Sequence, residues 1–226
     1  MPSALSRPFY ARGTLKVARD LLGCVLARRL EGGETLRGRI VEVEAYVGEE
    51  DKACHARAGR TPRTDVLYGP PGIAYVYLTY GMHYMLNAVT EPEGSPAAVL
   101  IRAAEPIEGI ERMKRARGTD QERLLAAGPA RLTQAFQLDL RHNRADLRGP
   151  VLWIEEGEPF ADRDVAQSPR VGCQTAPPPW DHMPWRFYVG GSPFVTPGTR
   201  LLGAKPAPVP SGPRKTRGGN RPTHRR

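Results

Sequence analysis

The chain has 226 residues, 40% of them hydrophobic, enough to bury a full core and to favour one domain. No apolar run approaches the roughly 20 residues that cross a bilayer, and the opening MPSALSRPFYARG lacks the apolar stretch of a signal peptide, so a soluble, cytoplasmic chain with no membrane partner is expected. Seven of the nine net positive charges lie in 205–226, leaving +2 on residues 1–204, so charge alone does not establish a polyanionic ligand. Cys24, Cys54 and Cys173 form no C-x-x-C pair, which argues against a disulfide framework, a zinc knuckle and an iron–sulfur loop; neither a metal nor a cofactor is expected.

In chain order, residues 14–22 carry the apolar spacing of a short amphipathic helix. Two β-rich runs follow, 23–30 and Thr35–Val47, joined at Glu31-Gly32-Gly33-Glu34, which predicts a hairpin. In its second strand Val41, Val43 and Ala45 alternate with Ile40, Glu42, Glu44 and Tyr46. One face is therefore expected to be apolar and the other to present two carboxylates and a phenol. Residues 48–71 read as an irregular basic loop running into Tyr68-Gly69-Pro70-Pro71-Gly72, which forbids regular structure. The β-branched and aromatic residues of 73–89 predict a second hairpin turning near Tyr80-Gly81-Met82, with both arms buried. A third strand is expected around 98–103. Helices are expected over 107–117, from a capping box at Thr119-Asp120-Gln121-Glu122, and again after Gly128-Pro129. Short strands return at 151–155 and Arg186–Val189, and the Pro, Gly and Arg content of 205–226 suits a disordered arm. Strands, then helices, then strands indicate an α+β domain over 1–204 rather than a doubly wound parallel sheet.

Glu42 and Glu44 lie two apart on one strand, so both point the same way, with roughly 6 to 7 Å between their α-carbons. A carboxylate beside an aromatic ring and shielded from water suits a base that acts on water in glycoside chemistry. The same pair also suits ordinary exposed acids on the outer face of an edge strand. In ACHARAGRTPR, His55 sits among Arg57, Arg60 and Arg63, guanidinium groups every three residues without neutralising acids nearby. That spacing fits phosphate contact, and it fits a solvated loop as well. Tyr75, Tyr77, Tyr80 and Tyr84 crowd the second hairpin although only 7% of the chain is aromatic. Rings stack on flipped bases and an apolar wedge at a hairpin tip enters a base step, whereas core packing accounts for some of the four, Tyr75 or Tyr84 in particular. Asn87, in a strand otherwise made of Met, Leu, Ala and Val, needs a partner, either a backbone group or a ligand edge.

Taken in order and spacing, VEVEAYVGEEDKACHARAGRTPRT, YVYLTYGMHYMLN, VLIRAAEPIEG and RFYVGGSPFV resemble the alkyladenine (3-methyladenine) DNA glycosylase family. The resemblance implies a single α+β domain with a curved antiparallel sheet, flanking helices and a protruding hairpin that enters the DNA minor groove. By position, Glu44 resembles the general base that activates the hydrolytic water and Arg102 the partner that helps place that water, with Glu42 secondary. Tyr46, His55 and Tyr77 resemble the residues that sandwich the flipped base, and Asn87 the pocket asparagine that presses against a guanine 2-amino group. Tyr80, with Met82 beside it at the hairpin tip, resembles the residue that fills the vacated stack. Arg60, Thr61, Arg63 and Leu67 fall in the family's DNA-facing loop. His83 and Met85 depart from the family pattern, and 175–185, TAPPPWDHMPW, matches it poorly.

The implied activity is a monofunctional glycosylase that excises alkylated or deaminated purines from duplex DNA as a monomer. Two other readings use the same residues: a non-enzymatic nucleic-acid-binding module whose Tyr75, Tyr77 and Tyr80 form an open stacking platform, and a carbohydrate hydrolase working through Glu42 and Glu44.

Overall fold

The short Gly-Gly turn and the apolar alternation around it set the first pair of strands. β1 (Val25–Arg29) runs antiparallel to β2 (Thr35–Val47), with Val25 opposite Arg39 and Arg29 opposite Thr35. The computed structural model describes residues 3–197, so the basic tail 205–226 and the end of the 1–204 domain lie outside the described residues. β3 (Ala74–Thr79) and β4 (His83–Val89) form the second hairpin, and β5 (Ala97–Glu108) pairs with β4 on one side and β2 on the other. β6 (Leu152–Glu155) closes the far edge against β1. β7 (Val165–Ser168) pairs with β8 (Arg186–Val189), and β8 lies along the second half of β2. The eight strands make one antiparallel sheet, ordered β3-β4-β5-β2-β1-β6 with β8 and β7 branching from β2. With its few short helices this is the expected α+β architecture.

The helices α1 (Arg7–Tyr10), α2 (Thr14–Leu21), α3 (Ile110–Arg117) and α4 (Pro129–Ala135) help to cover one face of the sheet. Val17 and Leu21 of α2 and Leu132 of α4 meet Val43, Ala45, Val76, Leu86, Val99 and Ile101 there, all fully buried. Each large apolar side chain so buried stabilises the fold by about 1.5–3 kcal/mol. None of the described helices is long and apolar enough to cross a membrane.

Four expectations change. The alternation along β2 breaks at Val41, where Ile40 faces Ala104 but Glu42 faces Ala103. That extra residue is a β-bulge, which moves Ile40 onto the core face with Val43 and Ala45 and turns Val41 to a separate cluster with Tyr188 and Val189. The third strand runs on to Glu108, so Ile107 is extended and α3 starts only after Gly109. Gly109 has φ +75° and packs so closely that a Cβ would lie 2.4 Å from Leu36 Cδ2, which makes it the strand's stop signal. No capping box forms at Thr119. Its hydroxyl accepts from Gln121 N at 3.3 Å and only one 3₁₀ turn follows, Glu122–Leu124. The hairpin arms are buried at their base alone: Leu78, Tyr80, Met82 and His83 are exposed.

Candidate active site

Period-two geometry assembles the site. Beyond the bulge, Glu42, Glu44 and Tyr46 of β2 and Ala98, Leu100 and Arg102 of β5 share the sheet face opposite the main core with the odd-numbered residues of β3 and β4. One transverse row runs Tyr75, Asn87, Leu100, Glu44, Arg186 across five strands, each opposite the next. Over this row lies a cavity of about 380 Å³. Tyr46, His55, Tyr77, Asn87 and Arg102 line it, with Tyr75, Met85, Leu100, Val171 and Cys173.

Beneath the cavity the two glutamates are fully buried, which rules out the edge-strand alternative. Glu44 Oε1 accepts from Val171 N at 2.7 Å, and Oε2 accepts from the Tyr46 hydroxyl at 2.9 Å and lies 3.2 Å from Arg102 Nη1. Glu42 Oε1 accepts from Arg102 Nε and Arg186 Nε, both at 2.8 Å, while Oε2 accepts from Thr196 N and Oγ1 at 2.7 and 2.6 Å. Two carboxylates therefore face two guanidiniums, the pairing that a buried charge requires. Burial pushes the Glu42 carboxyl up, but Arg102, Arg186 and Thr196 outweigh it and hold the group below its ordinary value. Burial likewise disfavours charge on Arg102, and Glu44 and Glu42 more than restore it. Glu42 is thus an anchor for Arg102; neither glutamate lines the cavity itself, and Glu44 meets it through Tyr46, Arg102 and Val171, which do.

The walls are aromatic. His55 Nδ1 lies 2.9 Å from the Tyr75 hydroxyl, and the His55 ring meets Tyr77 edge-on with centroids 4.6 Å apart. Burial, with Arg63 and Arg57 nearby, depresses the His55 pKa to about 4, so the ring is neutral at pH 7. Burial and then Glu44 raise the Tyr46 hydroxyl well above its ordinary value, so Tyr46 is a neutral donor to Glu44. Asn87 donates its amide to Tyr75 O at 3.0 Å, which satisfies the requirement for a partner with a backbone group while leaving the residue on the cavity surface.

The loop residues divide. Arg63 is exposed, its guanidinium 5.1 Å from the Tyr77 ring centre. Arg60 is exposed but paired with Asp65 at 2.7 Å, and Asp65 also holds Arg144. The expectation of a loop without neutralising acids is therefore corrected. The Thr61 hydroxyl lies 2.9 Å from that of Thr64, inside the loop's own network. Leu67 does not face outward: it is 1% exposed, packs with Cys54, Val66 and Tyr75, and closes the cavity wall. At the tip, Tyr80 is 87% and Met82 70% exposed. Tyr80 and Gly81 both adopt positive φ, 50° and 68°, in the tight hairpin turn closed by Met82 N to Thr79 O. Tyr75 and Tyr77 belong to the cavity wall, so the three tyrosines form no open platform.

Asp51, Arg170, Val171, Cys173, Arg186 and Thr196 were not expected at the site. A lone Arg186 among Phe, Tyr and Val was the sole hint, since a charge in a strand of such composition has to be paired.

Such a floor serves attack by water on a bond held against an aromatic wall, the task of an N-glycosyl hydrolase acting on DNA. Methylpurine-DNA glycosylase is the family whose model matches, over residues 8–193, and the chain belongs to that family. It is 48% identical over 193 residues to a protein of Carboxydothermus hydrogenoformans, covering 85% of this chain and 98% of the other. A Methanocella arvoryzae protein is 49% identical over 195 residues, 85% and 95% of the two chains, and a Myxococcus xanthus protein 47% over 203, 90% and 98%. All three carry the name 3-methyladenine DNA glycosylase as an inferred assignment.

Proposed function

We propose that the protein flips alkylated or deaminated purines, of the 3-methyladenine and hypoxanthine type, out of duplex DNA and hydrolyses the N-glycosidic bond without cutting the strand. The observation that carries this reading is the placement of Glu44 directly under an aromatic cavity, bonded to Tyr46, Arg102 and Val171, all of which line it. A carboxylate offers about four acceptor sites, and these bonds use three, leaving one on Oε1 for a water. That water adds its oxygen to C1′, its proton passes to Glu44, and the glycosidic electron pair leaves with the base. A 3-methylated adenine is cationic while attached, so it leaves neutral and needs no separate acid; hypoxanthine is neutral while attached, leaves as an anion and takes up the proton that the attacking water released. Tyr46 and Tyr77 present ring faces that attract such a cation. No lysine lines the cavity among the described residues, which supports hydrolysis rather than covalent catalysis and strand cleavage.

Tyr80 is the proposed plug for the gap left by the flipped base, with Met82 beside it, and Arg60 and Arg63 the phosphate contacts of the adjoining loop. The seven basic groups of 205–226 would add sequence-independent attraction. Because one chain contains every site residue, a monomer suffices. Three free, buried cysteines suit a reducing compartment, which makes the cytoplasm the proposed location. The deciding experiment incubates the protein with duplexes containing hypoxanthine or 3-methyladenine and measures free base and strand breaks. Release without breaks is expected; intact lesions in both duplexes would overturn the assignment.

A further inference from the structure

The segment 175–185, poorly matched to the family pattern, packs against one fully buried arginine. Arg170 makes a bidentate pair with Asp51, Nη1 to Oδ2 at 2.5 Å and Nη2 to Oδ1 at 2.8 Å, and neither side chain is exposed. Nη1 also donates to Ala45 O at 2.9 Å, and Nη2 reaches Trp180 O at 3.4 Å. The guanidinium lies against two rings, 4.7 Å from the centre of Tyr46 and 5.1 Å from that of Trp185. Trp185 is itself tied to β2 through its carbonyl, which accepts from Ala45 N at 2.8 Å, and Trp180 packs on it with centroids 5.8 Å apart. Asp51 is fixed in turn by Val47 N and Ala53 N. Arg170 Nε is buried without a hydrogen-bond partner among the described residues.

Two consequences meet at the site. The ring against Arg170 is the one whose hydroxyl donates to Glu44, and the residue after Arg170 is Val171, whose N–H holds the other oxygen of Glu44. We propose that Arg170, clamped by Asp51 and backed by Trp185, is a positioning residue that sets the Tyr46 ring and the Val171 amide together, so that base stacking and the Glu44 carboxylate are aligned by one group. The proposal builds on the role of Glu44 given above.

Arg170→Lys keeps the charge beside Asp51 and removes the planar face. With aromatic side chains isotopically labelled, the Tyr46 ring signals report its positioning without any reaction. In the native protein the two sides of the ring should give separate signals; in Arg170→Lys they should merge as the ring begins to flip. Single-turnover excision at saturating enzyme should fall about 10- to 100-fold, the scale of a misplaced catalytic geometry, with lesion-duplex binding changed far less. Combined with Tyr46→Leu, Arg170→Lys should add little further loss, because both act through one ring. Trp185→Leu leaves the ion pair in place and should give a smaller effect of the same kind; it decides the matter if Arg170→Lys does not fold. Unchanged ring signals in a folded variant, or losses that multiply fully in the double variant, would overturn the positioning role. A native protein that releases no base from either duplex would sink the role of Glu44 instead, and the ring signals would still decide whether Arg170 holds Tyr46.

Discussion

At the floor of the cavity all four oxygens of Glu42 and Glu44 are bonded and neither side chain is exposed, whereas at the hairpin tip Tyr80 stands 87% exposed on a backbone held at positive φ. The floor is finished without substrate: its charges are desolvated, paired and locked, as electrostatic preorganisation requires. The tip is not: a large ring stands in water on a turn held at positive φ, where the proposed DNA partner would act. Mutations at the floor should therefore register in stability or rate, and mutations at the tip in DNA binding alone.

The largest effect expected is at Arg102. Arg102→Met leaves Glu44 without its cation and Glu42 with one guanidinium in place of two, and removal of a partner from a buried ion pair costs about 3–5 kcal/mol. Denaturant unfolding measures this directly, and a loss below about 1 kcal/mol would place the cluster among pairs that solvent screens. A related sign follows for Glu42. Its folded pKa lies below the ordinary 4.5, so its contribution is present above that value and is lost as pH falls through the folded one. Glu42→Gln should be less stable at neutral pH and lose less on acidification.

Next comes Glu44→Gln, which keeps the shape and removes the acceptor for a water proton. Excision should fall at least roughly 100-fold while lesion-duplex binding persists. Near-native turnover would strip Glu44 of its role and leave the cluster purely structural. At the tip, Tyr80→Ala should weaken lesion-duplex binding by about 1–3 kcal/mol, the stacking contribution of one ring, with Tm unmoved. A large fall in Tm would show that the tip is part of the fold after all.

The same contrast explains what the sequence reveals. Glu44, Tyr46, Tyr77 and Asn87 lie on regular strands, where a period of two states which side chains share a face, and the tyrosine-rich turn at Tyr80-Gly81 announces its own geometry. The bulge at Val41 is silent, because one inserted residue leaves the apolar pattern plausible in either phase. Leu67 looks like any loop residue until the chain folds its 3₁₀ turn, Asp65–Tyr68, against Tyr75. Arg170 and Asp51 stand 119 residues apart, and each alone reads as a surface charge. Pairings across such separations are made by topology, which no local pattern encodes.

Asn87 sits where the two regimes touch, and it offers the smallest and most selective test. Its Nδ2 donates to Tyr75 O, and since a carbonyl accepts only from the amide N–H, this bond sets which way the amide is turned. An amide so held does not rotate freely away from an intruding group, as the proposed filter role requires. A guanine differs from hypoxanthine by the 2-amino group alone, so the filter should act on their ratio. Asn87→Ser shortens the side chain and gives up the bond to Tyr75. Single-turnover excision of guanine-type lesions should then gain on hypoxanthine by about 1 kcal/mol, the low end for a pocket that rejects one small group, because a loosened wall also blunts catalysis on both. Matched duplexes cancel that shared loss, leaving discrimination as the measured quantity. If the ratio stays where it was while the variant remains folded, Asn87 does no more than satisfy the Tyr75 carbonyl, and selectivity has to arise from the aromatic walls.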